Sequence, residues 1–398
     1  MQVEGMRRLG SSPLAGRSEG LQVVGTGSRL FIAHLFSGGF TEVDIIDPRR
    51  PQVLSFTRAP QGSWSVHLQV QDDLLLAANG PDMWSRPVGF DPGRDRFDRA
   101  TGFAAGVRLF DVGRPGHPRQ IGFHDIGGAG AHRVWFIGGR FALVSAAPPG
   151  FAENVLVVLD VSNPADPVEV DRWWLPGLGP GEAEAVSWPS DYRVSLHHAT
   201  ADDGSVYAAW RDGGVTTHPW SADGGLGPAT HVNWSKSSTR GCAAHSAVRL
   251  PGSEVLAVAE EGIESGGEPQ DREVVLFGLA DPLGPRRLGA LPRPLAVPRA
   301  GARYGPHNLH EYRPGAWQDG SVVFVAHQGA GLRVYRVSGL GPGSQTGLFL
   351  PDPPHRVLDP RPGRALVPQT NDVFVRADGV LAVVDANVGL DLLEMAGA

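Results

Sequence analysis

The sequence predicts an all-β protein: a seven-bladed β-propeller of four-stranded antiparallel blades, running as a single domain over residues 1–398. Three observations predict it. A strand ending in an Asp- and Pro-rich turn, followed by another strand, recurs as EVDIIDPRRPQVLSF at 42–56, VRLFDVGRPGHPRQIG at 107–122, VLVVLDVSNPADPVEV at 155–170 and VVLFGLADPLGPRRLG at 274–289. A second hairpin precedes each copy. The composition, with 54 Gly, 34 Pro and only 19% charged residues, suits short strands and frequent turns more than helices.

The strands read from alternating apolar residues, and the Asp/Asn-Pro-Gly clusters between them read as hairpin turns. Looser copies are VTTHPWSADGGLGPATHV at 215–232 and LRVYRVSGLGPGSQTG at 332–347. The preceding hairpin has a small, apolar second strand: LFIAH at 30–34, LLLAA at 74–78, FALVSA at 141–146, VYAAW at 206–210, VLAVAE at 255–260, VVFVAH at 322–327 and VLAVVD at 380–385. Two hairpins make a four-stranded unit of about 40 to 60 residues, the size of a propeller blade. Units start near Leu21, His67, His132, His197, His245, His307 and Asn371.

The seventh unit runs out of chain after GLDLLEM at 389–395. The N-terminal segment 6–15 is expected to supply its outer strand, because Arg7-Arg8-Leu9-Gly10 resembles the outer strand Arg286-Arg287-Leu288-Gly289. Insertions at 79–105 and 260–272 fall between second and third strands, on the face where loops lead into first strands. The stretch Trp173 to Tyr192, with Glu182, Glu184 and Trp188, is a third irregular segment expected on that face.

Net charge of -7 without a basic cluster argues against nucleic acid as a partner. One cysteine, Cys242, excludes an intrachain disulfide framework and a cysteine zinc cage; it reads as a small buried residue. Without an apolar leader or a run of about 20 apolar residues, the expectation is a soluble, cytoplasmic protein with no membrane partner.

The DVxxP turns, above all VLVVLDVSNPADPVEV, resemble those of the LVIVD-repeat family, whose members carry propeller-like repeats. The resemblance covers most of the chain and implies the fold; it is nearly silent on activity. It does not account for the histidines at the unit starts. In architecture alone, centrally placed histidines on a propeller are similar to those of the carotenoid cleavage oxygenases, which hold iron with four histidines, and to the selenium-binding proteins with methanethiol oxidase activity.

His67, His132, His198 (or His197), His245 and His307 occupy the entrance to the first strand of their units, so a propeller brings them towards a common centre. Neutral imidazole ligates iron, zinc, copper and nickel, and several on one axis can hold a divalent ion with positions left for water, dioxygen or substrate. Fe(II) is the first expectation, with zinc or manganese next. Packing histidines are the alternative, but that role does not require imidazole in five different units. A further row follows the second strands: His34, Asn79, Arg211, Glu260, Glu261, His327, Asp385 and Asn387. Glu260 and Glu261 are the best candidates to orient a ligand or act as general base, with Glu311 and Asp372 beside the inner row; Arg211 is the candidate partner of an anionic substrate. His310 is a weaker candidate, since His307 and His310 face opposite sides of a strand.

The functional expectation is a metal-dependent oxidoreductase or oxygenase acting on a small organic molecule. The alternatives are a metal-dependent lyase, isomerase or hydrolase, and a non-catalytic propeller that binds a ligand or protein.

Overall fold

The computed structural model describes every residue except 83–101, 183–187, 203, 235–240, 263–270, 282–283, 296–301, 338–342, 360–363, 397 and 398. Most of both expected insertions, and Glu184, lie outside the described residues. Two compact units share the chain: Met1–Ser37, Thr41–Ser55 and His245–Ala398 form the first, Gly38–Phe40 and Phe56–Ala244 the second. Among the described residues regular structure is strand, apart from one 3-10 turn at Leu14–Gly16. Among the described residues no helix is long and apolar enough to cross a membrane.

In the second unit, strands Ser63–Gln71, Leu74–Pro81, Gly106–Asp111 and Arg119–Asp125 pair in sequence order, all antiparallel. Gly130–Trp135, Phe141–Ala147, Val155–Asp160 and Val168–Trp173 repeat the pattern. So do Val194–Asp202, Ser205–Arg211, Val215–Pro219 and Thr230–Val232. These are the expected hairpin pairs. Inner strands are apolar on both faces because sheet packs on sheet: all six residues of Val155–Asp160 are buried. The core runs through Leu76, Val107, Val134, Val144, Val157, Leu196 and Trp210, each such side chain contributing about 1.5–3 kcal/mol on burial.

The first unit contains, from His245 on, the ordered sets Ala244–Arg249, Val255–Glu260, Val274–Gly278, Arg286–Ala290 and Asn308–Leu309, Val322–His327, Gly331–Arg336, Ser344–Leu350. It also holds Thr370–Val375, Val380–Asp385 and Gly389–Met395. The outer strand of that last set is Met6–Ser12, pairing from Met6 with Met395 to Ser12 with Leu390, so the N-terminal segment closes the final sheet as expected. Arg8 on the closing strand meets buried Asp391 at 2.5 Å. A short strand, Gln2–Glu4, is added beside Ser344–Leu350.

The repeated Asp has a local cause. Asp44, Asp111 and Asp160 each end a strand, and their Oδ1 atoms accept from the backbone N–H two residues on, at 2.9, 3.0 and 2.9 Å. The side chain thus stands in for a backbone partner and starts the turn. A second repeated residue opens third strands. A Cβ on Gly106 would fall 1.9 Å from His124 O, and one on Gly331, where φ is +80°, 2.2 Å from Phe349 O. Only glycine lets the fourth strand approach so closely.

Candidate functional site

Bulges set the geometry of the unit-start histidines. Along Ser63–Gln71 the pairing jumps from Ser65–Asn79 to His67–Ala78, so Val66 is the extra residue and His67 the first one paired after it. Along Gly130–Trp135 the jump is from Ala131–Ala146 to Arg133–Ser145, and His132 is itself the extra residue. Along Val194–Asp202 it runs from Val194–Arg211 to His198–Ala209, placing His197 in the irregular part and His198 just beyond. A bulge leaves its extra residue out of the ladder and re-aims its side chain. The histidines of this unit therefore fall into two rows, one residue apart.

Contacts follow the rows. His67 lies beside His198, ring centroids 5.0 Å apart. His132 lies beside His197, with centroids 4.7 Å apart and Nε2 atoms 2.9 Å apart. Both members of the His197-His198 pair are buried and each has its own partner. Two nitrogens bound to one ion at about 2.1 Å stand about 3.0–3.4 Å apart for right-angled to tetrahedral geometry. A shared proton or a shared cation therefore both fit the His132–His197 spacing. Trp64 and Trp135 flank the rows, 6.1 Å from the His132 ring and 6.2 Å from the His198 ring.

The bulge ahead of His67 is braced by a buried network. Asn79 Nδ2 donates to Trp64 O and to Ser65 Oγ, both at 2.7 Å. Arg108 Nε donates to Asn79 Oδ1 at 2.9 Å and its NH2 to Ser65 Oγ at 2.9 Å. Burial pulls the Arg108 pKa down to about 10. Sequence reasoning missed Arg108, because GVRLFD reads as an ordinary strand with one outward residue.

In the first unit a carboxylate stands between two imidazoles. Glu261 follows the strand Val255–Glu260, and its Oε2 lies 3.7 Å from His245 Nε2 while its Oε1 lies 3.7 Å from His307 Nε2. The two rings are 4.5 Å apart. His245, His307 and Glu261 are 0%, 5% and 4% exposed, so bulk water does not screen the cluster. His307 Nδ1 is 2.5 Å from Asn371 O; a carbonyl can only accept, so Nδ1 carries a proton, and in the neutral ring the Nε2 lone pair is turned to Glu261. That is the arrangement by which metal-binding histidines are oriented. Arg303 NH1 donates to Glu261 Oε1 at 3.4 Å. Two imidazole nitrogens and one carboxylate form a donor set suited to Fe(II) and to zinc.

The other expected residues have different surroundings. Glu260 Oε2 accepts from Glu273 N at 3.0 Å, closing the hairpin. Arg211 ends its strand at φ +53°, and its carbonyl accepts from buried Cys242. Asn371 is the extra residue of a bulge between Thr370–Asp385 and Asp372–Val384. Asp385 accepts from Thr370 Oγ1 at 3.3 Å, and burial raises its pKa to about 7. His310 is a packing residue: its Nε2 donates to Trp317 O and its Nδ1 accepts from Val375 N, both at 3.2 Å, and burial lowers its pKa to about 4. His34 and His327 are likewise buried, with pKa values lowered by burial to about 4 and about 3. Arg303 was not foreseen; it lies in a stretch with no strand periodicity.

No known family model matches the chain, and no curated protein is similar to it. Solved structures are. A protein from Lactobacillus plantarum is 13% identical with a TM-score of 0.54, covering 94% of this chain and 98% of its own. The β-propeller domain of Myceliophteria thermophila Cps50 (Swd1) is 14% identical with a TM-score of 0.57, covering 95% of this chain and 97% of its own. At such identities the likeness shows the fold alone: this chain has an all-β, β-propeller fold.

Proposed function

We propose that the chain is a metal-dependent enzyme whose mononuclear divalent ion, Fe(II) in first place, is held by His245, His307 and Glu261 and serves oxidoreductase chemistry on a small organic substrate. The observation that carries this reading is the buried carboxylate set 3.7 Å from two imidazole nitrogens, one of them on a ring whose other nitrogen donates to Asn371 O. The His67–His198 and His132–His197 pairs are a second candidate set of imidazole donors.

When bound, a divalent ion with open positions supplies Lewis acidity and, as iron, one-electron chemistry with dioxygen. The chain's own residues supply the rest. Asn371 O holds the His307 proton on Nδ1. Arg303 holds Glu261 in place through its Oε1. Burial keeps the donors dry, which strengthens every charge interaction among them.

Anaerobic loading with Fe(II), followed by exposure to dioxygen, tests the chemistry. Oxygen uptake or a visible absorption change that zinc-loaded protein lacks supports an oxidoreductase. Fe(II) binding with no response to dioxygen, with and without small organic substrates, overturns it in favour of Lewis-acid chemistry.

A further inference from the structure

The first unit contains a half-open cavity of about 810 Å³ whose lining includes Arg293, Arg303, Arg333 and Tyr304. That volume is in the range of sites for small organic molecules, about 300–1,000 Å³. The three arginines differ. Arg293 is neutralised by Asp271 at 2.5 Å and Glu273 at 2.9 Å. Arg303 is bonded to Glu261. Arg333 is only 6% exposed, yet its Nε donates to Ala330 O at 3.0 Å and its NH1 to Gln345 Oε1 at 3.5 Å. Among the described residues no carboxylate forms an ion pair with it; Glu4 lines the cavity without doing so. Its hydrogen bonds go only to neutral acceptors, and the one carboxylate acting on it, Glu4, does so at longer range; a buried guanidinium so placed is costly, and an anion in direct contact offsets that cost.

The walls narrow the class of anion. Pro292, Leu348, Leu350, Pro351 and Val367 line the same cavity. Apolar walls suit a hydrocarbon body more than a fully hydrated inorganic ion, and the planar guanidinium fork matches a carboxylate in two-point contact. We infer that this cavity binds a small organic carboxylate, with its acid group on Arg333 and its apolar body against the proline and leucine walls. Because Arg303 both lines the cavity and bonds Glu261, the bound acid is also the substrate class of the proposed centre. That last step rests on the metal reading; carboxylate binding does not.

Titration of the metal-free and Fe(II)-loaded full chain with benzoate and hexanoate, followed by calorimetry and ligand-observed NMR, tests the inference. Inorganic phosphate and benzyl alcohol are the controls. The expected result is saturable binding of benzoate or hexanoate to both forms, at least about tenfold tighter than either control, since charge-assisted two-point bonds are the strong ones. Arg333→Met is expected to lose at least about tenfold in affinity, and Arg333→Lys, which keeps charge without the fork, to fall between. Leu350→Trp, which crowds the wall and leaves Arg333 in place, reads the same site if Arg333→Met does not fold. No binding of either acid, equal binding of benzyl alcohol or phosphate, or full affinity in both Arg333→Met and Leu350→Trp overturns the inference. Carboxylate binding with no Fe(II) retained leaves the cavity proposal standing and removes the metal reading.

Discussion

In the second unit imidazole meets imidazole; in the first, imidazole meets a carboxylate. His132 and His197 touch through Nε2 atoms 2.9 Å apart, and their positions are decided by bulges in two first strands. His245 and His307 flank Glu261, and the tautomer of His307 is decided by Asn371 O. One repeat supplies histidines at equivalent places, while the residues around each repeat decide what the histidine can do. The cluster in the first unit combines a carboxylate with a ring oriented by a backbone carbonyl.

The largest effects are expected where that difference is created. Glu261→Gln removes the negative donor and keeps the volume. It is expected to lower affinity for Fe(II) or zinc by more than the 10- to 100-fold that outer partners typically contribute, read by competition with a chelator. In the second unit, Arg108→Met strips the network that braces the bulge before His67. Leaving Asn79 Oδ1 and Ser65 Oγ short of donors in a buried site is expected to cost about 2–4 kcal/mol, read by urea denaturation.

Acid and base act on the buried groups in opposite directions. The pKa of His310 is about 4 in the folded protein, below its ordinary value, so the stability it contributes is complete above about 6.5 and is lost as pH falls towards 4. Asp385 is raised to about 7, so its contribution is complete below about 4 and is lost as pH rises through 7. Asp385→Asn is therefore expected to gain about 2–4 kcal/mol relative to the native chain between pH 4 and 8. A difference that stays flat across that range contradicts the assignment. Smaller still, Gly331→Ala, forced to φ +80° and against Phe349 O, is expected to cost about 1–3 kcal/mol. At the bottom of the scale, Arg7→Ala, which removes an exposed pair with Glu394, is expected to change stability by less than about 1 kcal/mol.

Most of the fold was legible because its causes are local. The strand Val155–Asp160 and the turn that Asp160 starts are both written in VLVVLDVSNPADPVEV, and closure by Met6–Ser12 followed from a last sheet one strand short. The glycines that open third strands, such as Gly106 and Gly331, have an equally local cause, a close approach of the fourth strand. The site was legible only as far as its histidine positions. A bulge adds one residue without disturbing the apolar pattern, so periodicity does not say that His198 joins His67 while His197 joins His132. Nor does it separate Glu260, which bonds Glu273 N, from Glu261, which faces two histidines; neighbours on an extended chain point opposite ways, and the phase is set by tertiary contacts. Arg303 and the Asn371 carbonyl come from segments whose role exists only once the chain is folded.

The central claim is that His245, His307 and Glu261 together hold a divalent ion. Elemental analysis of the full chain after anaerobic loading with Fe(II), zinc or manganese and exhaustive buffer exchange tests it most directly, run beside Glu261→Gln and His307→Ala variants shown by circular dichroism to be folded. The account predicts a stoichiometric ion in the native chain that both variants lose. A native chain that retains none of the three metals, or folded variants that keep the full amount, would contradict it.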